Sequence, residues 1–231
     1  MKWLLVVTMC MTSCWSIAWG SDKGMSWRLS TSDTTATIAI QQGMPVLTQL
    51  GLAKGNSNWL LAPVPEVLLP SVTQNGSEAA TKWHYNGGAF DPKSGQLVLR
   101  FSTSASAPAM ELQSIWRARP GHGPIEHWLT ITNRSGAAIT IGHQDSLVLS
   151  HVAVPTSEQM DAWWIKRGAG NATTEGGTYV QGIGENSDGT LTSDPTDGAS
   201  PVPWLALQVG TSRGLYVGWE FSGIGRIHFH S

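Results

Sequence analysis

The acidic and histidine side chains of this chain are dispersed, which restricts the acid–base chemistry that it could carry. Glu126 and His127 are neighbours in a run that alternates apolar and polar residues as a strand does. Successive side chains of a strand point to opposite faces, so these two groups cannot act together on one substrate. Glu220 follows Trp219, but glycoside hydrolysis needs two carboxyl groups that flank the scissile bond. The sequence therefore predicts no catalytic residue within this chain.

The histidines show no metal-binding spacing. His228 and His230 share one face of a strand, but no third ligand lies near them in the sequence. A Gly-x-Ser-x-Gly nucleophile elbow and a phosphate-binding glycine loop are both missing from the sequence. We therefore predict neither a metal nor a cofactor. The other histidines weighed as ligands are far apart in the chain: His122, His127, His143 and His151.

Tryptophan is the most informative residue type, because nine of the twelve tryptophans lie after residue 20. An indole can stack on the apolar face of a sugar while nearby polar side chains bond its hydroxyl rim. Trp163 and Trp164 are adjacent in a strand-like run, so one of them is expected to point out of the core. Lys166, Arg167 and a glycine-rich loop follow, and binding residues concentrate on such loops. The alternative interpretation is a solvated strand end with a glycine turn.

Another predicted strand end has a tryptophan next to a glutamate. Trp219 and Glu220 lie in a segment bracketed by Gly218 and Gly223, where they could contact a sugar or simply pack at the end of a strand. We predict one set of carbohydrate-binding residues and assign none of them a catalytic role: Trp163, Trp164, Lys166, Arg167, Trp219 and Glu220.

The segments that position these side chains are short runs in which apolar and polar residues alternate. Such alternation is typical of half-buried strands, and no stretch keeps the apolar spacing of three and four that a helix requires. Residues 133–136 are predicted to form a hairpin turn, and residues 185–203 a long polar loop. The sequence therefore predicts an all-β, two-sheet sandwich. The predicted strands are residues 35–40, 96–103, 111–117, 125–132, 138–141, 146–150, 204–209 and 215–219.

The length and charge of the chain agree with one large β domain. Sandwiches of this size commonly fold as one unit, so we predict a single domain over residues 21–231. Charged residues make up 13% of the chain, below the roughly 25% usual for soluble domains. The net charge of −2 gives no reason to expect nucleic acid as a partner.

Residues 1–20 have the features of a secretion signal. Lys2 gives a positive start, residues 3–11 are apolar apart from one threonine, and residues 18–20 form a small-x-small cleavage site. The apolar run is shorter than the roughly 20 residues that a membrane-spanning helix needs. We therefore expect export to the periplasm or the extracellular space.

Both cysteines lie inside this signal, so the mature domain is expected to contain neither a disulfide nor a thiolate metal site. Residues 11–14 end in Cys14 and are similar to a bacterial lipoprotein cleavage box. Lipid attachment through Cys14, which would tether the protein to a membrane, is the alternative to simple cleavage.

Five segments between about residues 110 and 227 point to a known family. They read WRAR at 116–119, GPIEHWLTITN at 123–133, WIKRG at 164–168, PWLALQ at 203–208 and GLYVGWEFSG at 214–223. In order and spacing they resemble the amino-terminal domain of glycoside hydrolase family 36 α-galactosidases and related melibiases. Residues 21–109 match that domain only in their strand rhythm.

This resemblance implies a β-supersandwich like that of galactose mutarotase, preceding a (β/α)₈ barrel that carries both catalytic aspartates. We therefore expect the non-catalytic amino-terminal domain of an exported α-galactosidase-like enzyme, truncated at Ser231 before its barrel. The parent would be a retaining glycoside hydrolase, and this chain alone would be inactive. The implied partners are an α-galactoside-type carbohydrate, the barrel in cis and further copies in a homo-oligomer. The resemblance also places Trp219 and Glu220 toward the barrel, where they would help to shape the sugar pocket or the interdomain interface.

Two other functions remain open at this point. A stand-alone carbohydrate-binding module requires a row of exposed tryptophans on one face. An epimerase or polysaccharide lyase with the mutarotase fold requires a histidine and a carboxylate that converge in a concave sheet face. The candidates for such a pair are His127, His143, His151 and Glu126.

Overall fold

A computed structural model shows an all-β chain. It describes residues 25–55, 57–104, 107–142, 145, 147–150, 152, 158–166, 177–198, 200–211, 213–220 and 223–231. Every strand pairing in these residues is antiparallel, and they contain no helix that could cross a membrane. The strands are β1 (Ser26–Ser30), β2 (Thr34–Gln41), β3 (Met44–Leu52), β4 (Val64–Pro65), β5 (Ser71–Gln74), β6 (Ser77–Ala80), β7 (Trp83–Asp91), β8 (Gln96–Thr103), β9 (Met110–Ala118), β10 (Ile125–Asn133), β11 (Ile139–Thr140), β12 (Met160–Ile165), β13 (Thr178–Ile183), β14 (Asp188–Ser193), β15 (Trp204–Val209), β16 (Arg213–Gly218) and β17 (Gly225–His230).

The chain divides into two compact units near residue 150. The first consists of Met1–Asn58 and Ala62–Ser150, and the second of Trp59–Leu61 and His151–Ser231. The single domain over residues 21–231 stays a prediction from the sequence. Each unit has its own buried core.

The first unit is a sandwich of two four-stranded sheets with a smaller third sheet. The strand orders are β1-β2-β3-β4 and β10-β9-β8-β7, and β1 lies against β9, β2 against β10 and β3 against β7. The alternation predicted in β8 is present, because Leu97, Leu99 and Phe101 are all buried on one face. Burying such a side chain contributes about 1.5–3 kcal/mol relative to leaving it in water. The sheet β11-β5-β6 completes the unit.

The second unit packs a two-stranded ribbon on a four-stranded sheet. The sheet has the order β13-β12-β15-β16, and β14 pairs with β17. Ala162 and Leu205 of the sheet meet Leu191 of the ribbon in one buried cluster. The partly buried side chains that pack against this cluster are Trp164, Ile183, Leu207, Ile227 and Phe229.

Comparison with the sequence analysis confirms the all-β sandwich class and most of the predicted strands. Seven of the eight predicted strands are present, with boundaries shifted by no more than two residues. The prediction of a strand at residues 146–150 is wrong, because residues 147–150 form no strand. The hairpin turn predicted at residues 133–136 is also wrong, since β11 pairs with β5 and not with β10. Finally, the predicted loop at 185–203 contains β14, whose single large apolar residue, Leu191, gave too weak an alternation to recognise.

Candidate functional site

The adjacent Trp163 and Trp164 lie on opposite faces of the second unit's sheet, as strand alternation requires. Trp164 packs against the buried cluster, and its ring stacks on Tyr179 of the neighbouring strand with a centroid distance of 5.8 Å. Lys166 lies on the same face, with Nζ 4.6 Å from the centre of the Tyr179 ring. Trp164 and Lys166 thus share one aromatic partner, which is a packing arrangement. Arg167, the fourth predicted residue of this segment, lies outside the described residues.

Trp163 projects from the opposite face, where paired residues form a row across all four strands. Trp163 is paired with Val180 on β13 and with Ala206 on β15, and Ala206 is paired with Tyr216 on β16. Directly paired residues of an antiparallel sheet point to the same side. Val180 is 53% exposed and Tyr216 is 62% exposed, so this row lies at the surface. We call this side of the sheet the outer face.

A groove of about 330 Å³ lies next to Trp163. Gly214 has no side chain to fill it, and a Cβ placed there would approach only the carbonyl oxygen of Leu207, at 3.7 Å. Gln208 lines the groove, and its Nε2 donates a hydrogen bond to the carbonyl oxygen of Gly210. Nε1 of Trp163 is buried and has no hydrogen-bond partner among the described residues. The remaining lining residues are Ala206, Leu207, Thr211 and Arg213.

Trp219 is half-buried and packs against a strand. A Cβ placed at Gly225 of β17 would lie 2.2 Å from Cε2 of Trp219, so the indole occupies the space above that glycine. The backbone N–H of Trp219 donates to the carbonyl oxygen of Pro203, and Nε1 is buried. Glu220 is exposed. Trp219 therefore has a different packing partner from Trp164 and Lys166, and the predicted residues do not form one cluster.

In the first unit, an unpredicted carboxylate meets a histidine. Glu66 follows β4, and its Oε1 lies 2.9 Å from Nε2 of His127 on β10. Its Oε2 accepts hydrogen bonds from Ser114 Oγ at 2.9 Å and Trp116 Nε1 at 3.3 Å. His127 also stacks on Trp116, with ring centroids 4.3 Å apart. Because a carboxylate can only accept, Nε2 of His127 donates to it, and Glu66 is satisfied by three donors.

This cluster has the groups of an acid–base pair but not the accessibility. The side chains of Glu66 and His127 are each only 5% exposed, and Nδ1 of His127 is buried without a partner among the described residues. Both oxygens of Glu66 are already occupied, so a substrate would have to displace internal donors. The arrangement holds the sheet edge at β4 to the β9–β10 face.

Glu66 was not among the residues predicted from the sequence, although a signal exists. Residues 63–70 read PVPEVLLP, so Glu66 is the only charge in an apolar run. An isolated charge in such a run indicates a buried carboxylate that must be paired. The partner could not be identified from the sequence, because His127 lies 61 positions later.

Glu126, adjacent to His127, points to the other face of β10, as predicted. It accepts hydrogen bonds from Nε of Arg117 at 2.7 Å and Nε of Arg119 at 2.6 Å. Partial burial raises the pKa of Glu126, but the hydrogen bonds from Arg119 and Arg117 and their positive charges outweigh it and leave the pKa below its usual value of 4.5. Glu126 therefore stays ionised at neutral pH as part of an ion-pair network and does not supply a general acid.

This lowered pKa predicts a pH dependence of stability. A depressed carboxyl pKa contributes stability above the unfolded-state pKa, and that stability is lost as the pH falls through the folded-state pKa. We expect Glu126→Gln to reduce the loss of stability between about pH 5 and pH 2. Urea unfolding at a series of pH values measures this loss of stability. The double variant Arg117→Gln/Arg119→Gln should also flatten the pH dependence of stability between about pH 5 and pH 2. Superimposable plots of unfolding free energy against pH for the parent and the two variants would contradict a lowered pKa of Glu126.

The histidines at the end of the chain make a surface contact. Nε2 of His228 lies 2.6 Å from Oδ1 of Asp188, and the rings of His228 and His230 stack at 5.5 Å. In the part of the chain that the structure describes, no group of three or more His, Cys, Asp or Glu side chains is placed to hold a metal ion. His143 and His151, candidates for an epimerase-type pair, lie outside the described residues.

The exposed row of tryptophans required by a carbohydrate-binding module is not found. Each of the nine tryptophans in the described residues is buried or half-buried. Trp116 and Trp59 are buried outright, and the Trp128 ring lies 5.4 Å from the guanidinium carbon of Arg117. The aromatic side chain that is most exposed on the outer face is Tyr216.

Comparison with known proteins identifies similar folds. No protein-family model matches the chain, and no curated protein matches it in sequence. Among solved structures, the α-galactosidase from Lactobacillus brevis matches 89% of this chain with a TM-score of 0.54 and 14% identity. The galactosidase domain of the α-galactosidase–sucrose kinase AgaSK matches 88% with a TM-score of 0.59 and 14% identity. The family 36 α-galactosidase AgaA from Geobacillus stearothermophilus matches 88% with a TM-score of 0.54 and 10% identity.

The matched region is only part of each of those proteins. This chain corresponds to 36%, 35% and 37% of the three solved chains, in the same order. At these identities the likeness concerns the fold. The chain therefore has the fold of about one third of an α-galactosidase chain.

Proposed function

We propose that this chain is the non-catalytic β-sandwich domain of an exported α-galactosidase-like enzyme whose (β/α)₈ catalytic domain belongs to the same polypeptide. The observation that carries the proposal is the fold match, which takes in 88–89% of this chain but only 35–37% of each α-galactosidase. Fold alone does not determine function, so the proposal also rests on the sequence motifs between residues 110 and 227 and on the chemistry of the described side chains.

The carboxylates of the described residues support a non-catalytic role. A retaining glycosidase needs two carboxyl groups about 5–5.5 Å apart on either side of an accessible bond. Glu126 is held by two arginines, and Glu66 is sealed by three internal donors. The work of such a domain is to support the catalytic barrel and its assembly, with Trp219 and Glu220 near the sugar site.

An epimerase of the mutarotase fold is less well supported. It requires an exposed histidine and carboxylate, and of the histidines predicted for such a pair the described residues contain His127, which meets Glu66. Since both are 5% exposed, their geometry favours a structural role.

The proposal predicts export without activity. Produced in a bacterial host from its own Met1, the chain should reach the periplasm or medium with Ser21 as its first residue. The purified protein should not hydrolyse 4-nitrophenyl α-D-galactopyranoside, because the catalytic pair is supplied by another domain. Enzyme assay and amino-terminal sequencing of the secreted fraction measure the two parts separately.

Two results would argue against this function. Turnover of the galactoside by the purified chain, at a rate above that of a mock-purified control, would show that it carries its own active site. Conversely, sequence beyond Ser231 in the encoding gene should continue with alternating strands and helices. A different kind of domain there would refute the α-galactosidase-like parent.

A further inference from the structure

We propose that His228 and His230 on β17 bind a divalent transition-metal ion, with Asp188 on β14 as the positioning residue. The proposal goes beyond the function proposed above and does not depend on it. No metal was predicted here from the sequence, because no third group lies near the two histidines in the chain. In the structure, the pairing of β14 with β17 brings in Asp188, which lies 40 positions before His228.

The alternation of β17 holds both histidines on the solvent side of the two-stranded ribbon. Ile227 and Phe229 point the other way and pack against the buried cluster of the second unit. Arg226, His228 and His230 are exposed on the opposite face. The imidazole rings of His228 and His230 stack with their centroids 5.5 Å apart. Packing of the apolar face thus fixes the backbone that presents two nitrogen ligands side by side.

Asp188 determines which ring nitrogen of His228 carries the lone pair. Its Oδ1 lies 2.6 Å from Nε2 of His228, and a carboxylate only accepts hydrogen bonds, so Nε2 carries the proton. In the neutral imidazole, Nδ1 then has the lone pair that a metal binds. Histidine ligands almost always donate their other N–H to a carboxylate, a backbone carbonyl or water, which fixes the ring and makes the ligand more basic. The His228–Asp188 pair has that arrangement.

The two rings are close enough to share one ion. A metal bound by two imidazoles lies about 2.0–2.1 Å from each nitrogen, so the two nitrogens are at most about 4.2 Å apart. Ring centroids 5.5 Å apart allow that separation after rotation of the exposed His230 side chain. Asp188 is directly paired with His230 across the ribbon and bonded to His228, so its negative charge lies beside both rings.

The ligand set selects a transition metal over calcium or magnesium. Imidazole nitrogen suits Zn²⁺, Cu²⁺ and Ni²⁺, whereas Ca²⁺ and Mg²⁺ prefer oxygen ligands. Two protein ligands leave the other coordination positions to water. This agrees with the finding that no three His, Cys, Asp or Glu side chains of the described residues form a metal site. Affinity for such ligands is highest for Cu²⁺, so we expect Cu²⁺ to bind more tightly than Ni²⁺ or Zn²⁺.

An anion fits this end of the ribbon less well. Along the exposed face, Asp188 is paired with His230, Thr190 with His228, and Thr192 with Arg226. The fixed positive charge of Arg226 is thus two cross-strand pairs away from Asp188, whose negative charge opposes an anion at the two rings. The side chains of His228 and Asp188 are 52% and 72% exposed, so an ion from solvent can reach them.

The test is a calorimetric titration of the full chain with CuCl₂, NiCl₂, ZnCl₂ and MgCl₂. The chain is prepared without a histidine tag and with Cys10→Ser/Cys14→Ser, which removes its two thiols. We expect one Cu²⁺ to bind with a Kd on the order of 10 μM, Ni²⁺ and Zn²⁺ to bind more weakly and Mg²⁺ not to bind. Copper electron paramagnetic resonance should show hyperfine coupling to two imidazole nitrogens.

Surface variants test the two ligands. His228→Ala and His230→Ala should each weaken Cu²⁺ binding at least about tenfold and leave one coupled nitrogen, because a single imidazole remains. Both are exposed, so the urea midpoint should stay that of the parent. His84→Ala is the matched control, since His84 is an exposed strand histidine of the first unit. The proposal is overturned if the parent binds Cu²⁺ no more tightly than His228→Ala/His230→Ala, or if His84→Ala weakens binding equally.

A separate pair of variants tests the positioning role of Asp188. Asp188→Ala should weaken Cu²⁺ binding about tenfold, the lower end of the effect of outer-shell partners. Asp188→Asn should restore part of that loss, because its amide oxygen still accepts from Nε2 of His228. Equal affinities of the parent and Asp188→Ala would refute the role of Asp188.

Discussion

Replacing Glu66 by alanine is expected to lower the free energy of unfolding by about 3–5 kcal/mol, because it leaves buried hydrogen-bond donors without their acceptor at about 1–3 kcal/mol each. Nε2 of His127 and Oγ of Ser114 lose Glu66 as their acceptor, while Nε1 of Trp116 keeps Oγ of Ser114 at 3.2 Å. The two donors that lose Glu66 are left in the interior of the first unit, where unpaired polar groups are costly. Urea unfolding followed by tryptophan fluorescence measures the difference.

Glu111→Ala is the matched control for this experiment. Glu111 accepts a hydrogen bond from Arg134 at 3.0 Å, a distance close to that of the Glu66–His127 pair, but both side chains are more than half exposed. Exposed ion pairs contribute about 0–1 kcal/mol, so this variant should unfold almost as the parent does. If Glu66→Ala leaves the protein unfolded, Glu66→Gln keeps an acceptor in place and should be intermediate. Equal, small effects of Glu66→Ala and Glu111→Ala would contradict the structural role of the cluster.

Gly225→Val is expected to destabilise the second unit by about 1–3 kcal/mol, the usual range for overpacking. A Cβ at this position would lie 2.2 Å from Cε2 and 2.4 Å from Nε1 of Trp219, so the indole must move. Valine has a higher strand propensity than glycine, and this preference offsets part of the expected loss of stability. A lower unfolding midpoint in urea is the measured result.

Gly214→Val separates the clash from the general effect of replacing a strand glycine. Gly214 lies in β16 of the same unit, and a Cβ placed there would lie 3.7 Å from the carbonyl oxygen of Leu207. Replacing such a glycine should be neutral or slightly stabilising, because the unfolded chain loses freedom. If both valine variants have the same stability, Trp219 does not pack on Gly225 in solution, and the indole would then be available for a ligand.

Side-chain periodicity accounts for what could be predicted of the fold. In β8 every second residue is apolar, and the structure buries Leu97, Leu99 and Phe101 in turn. β14 lacks this pattern, because it belongs to a two-stranded ribbon with one solvated face and a glycine covered by Phe229. The division into two units left no such pattern, since it depends on which segments pack together and not on local composition.

Side-chain periodicity also predicted part of the candidate site. Strand alternation required Trp163 and Trp164 to face opposite ways and separated Glu126 from His127, and the structure shows both. Alternation could not tell which tryptophan faces the core, because that depends on where the ribbon of β14 and β17 docks. It also could not identify Tyr216, which becomes a neighbour of Trp163 only through their common pairing with Ala206.

By itself, the sequence determined the β class and the positions of seven of the seventeen strands in the described residues, since these follow from the period of side chains along one strand. Tertiary structure alone decided the pairing of Glu66 with His127, the covering of Gly225 by Trp219 and the aromatic row on the outer face. Each of these depends on strand register and on contacts between segments far apart in the chain. A shift of one residue in register would reverse every face, and no local pattern specifies that choice across several strands.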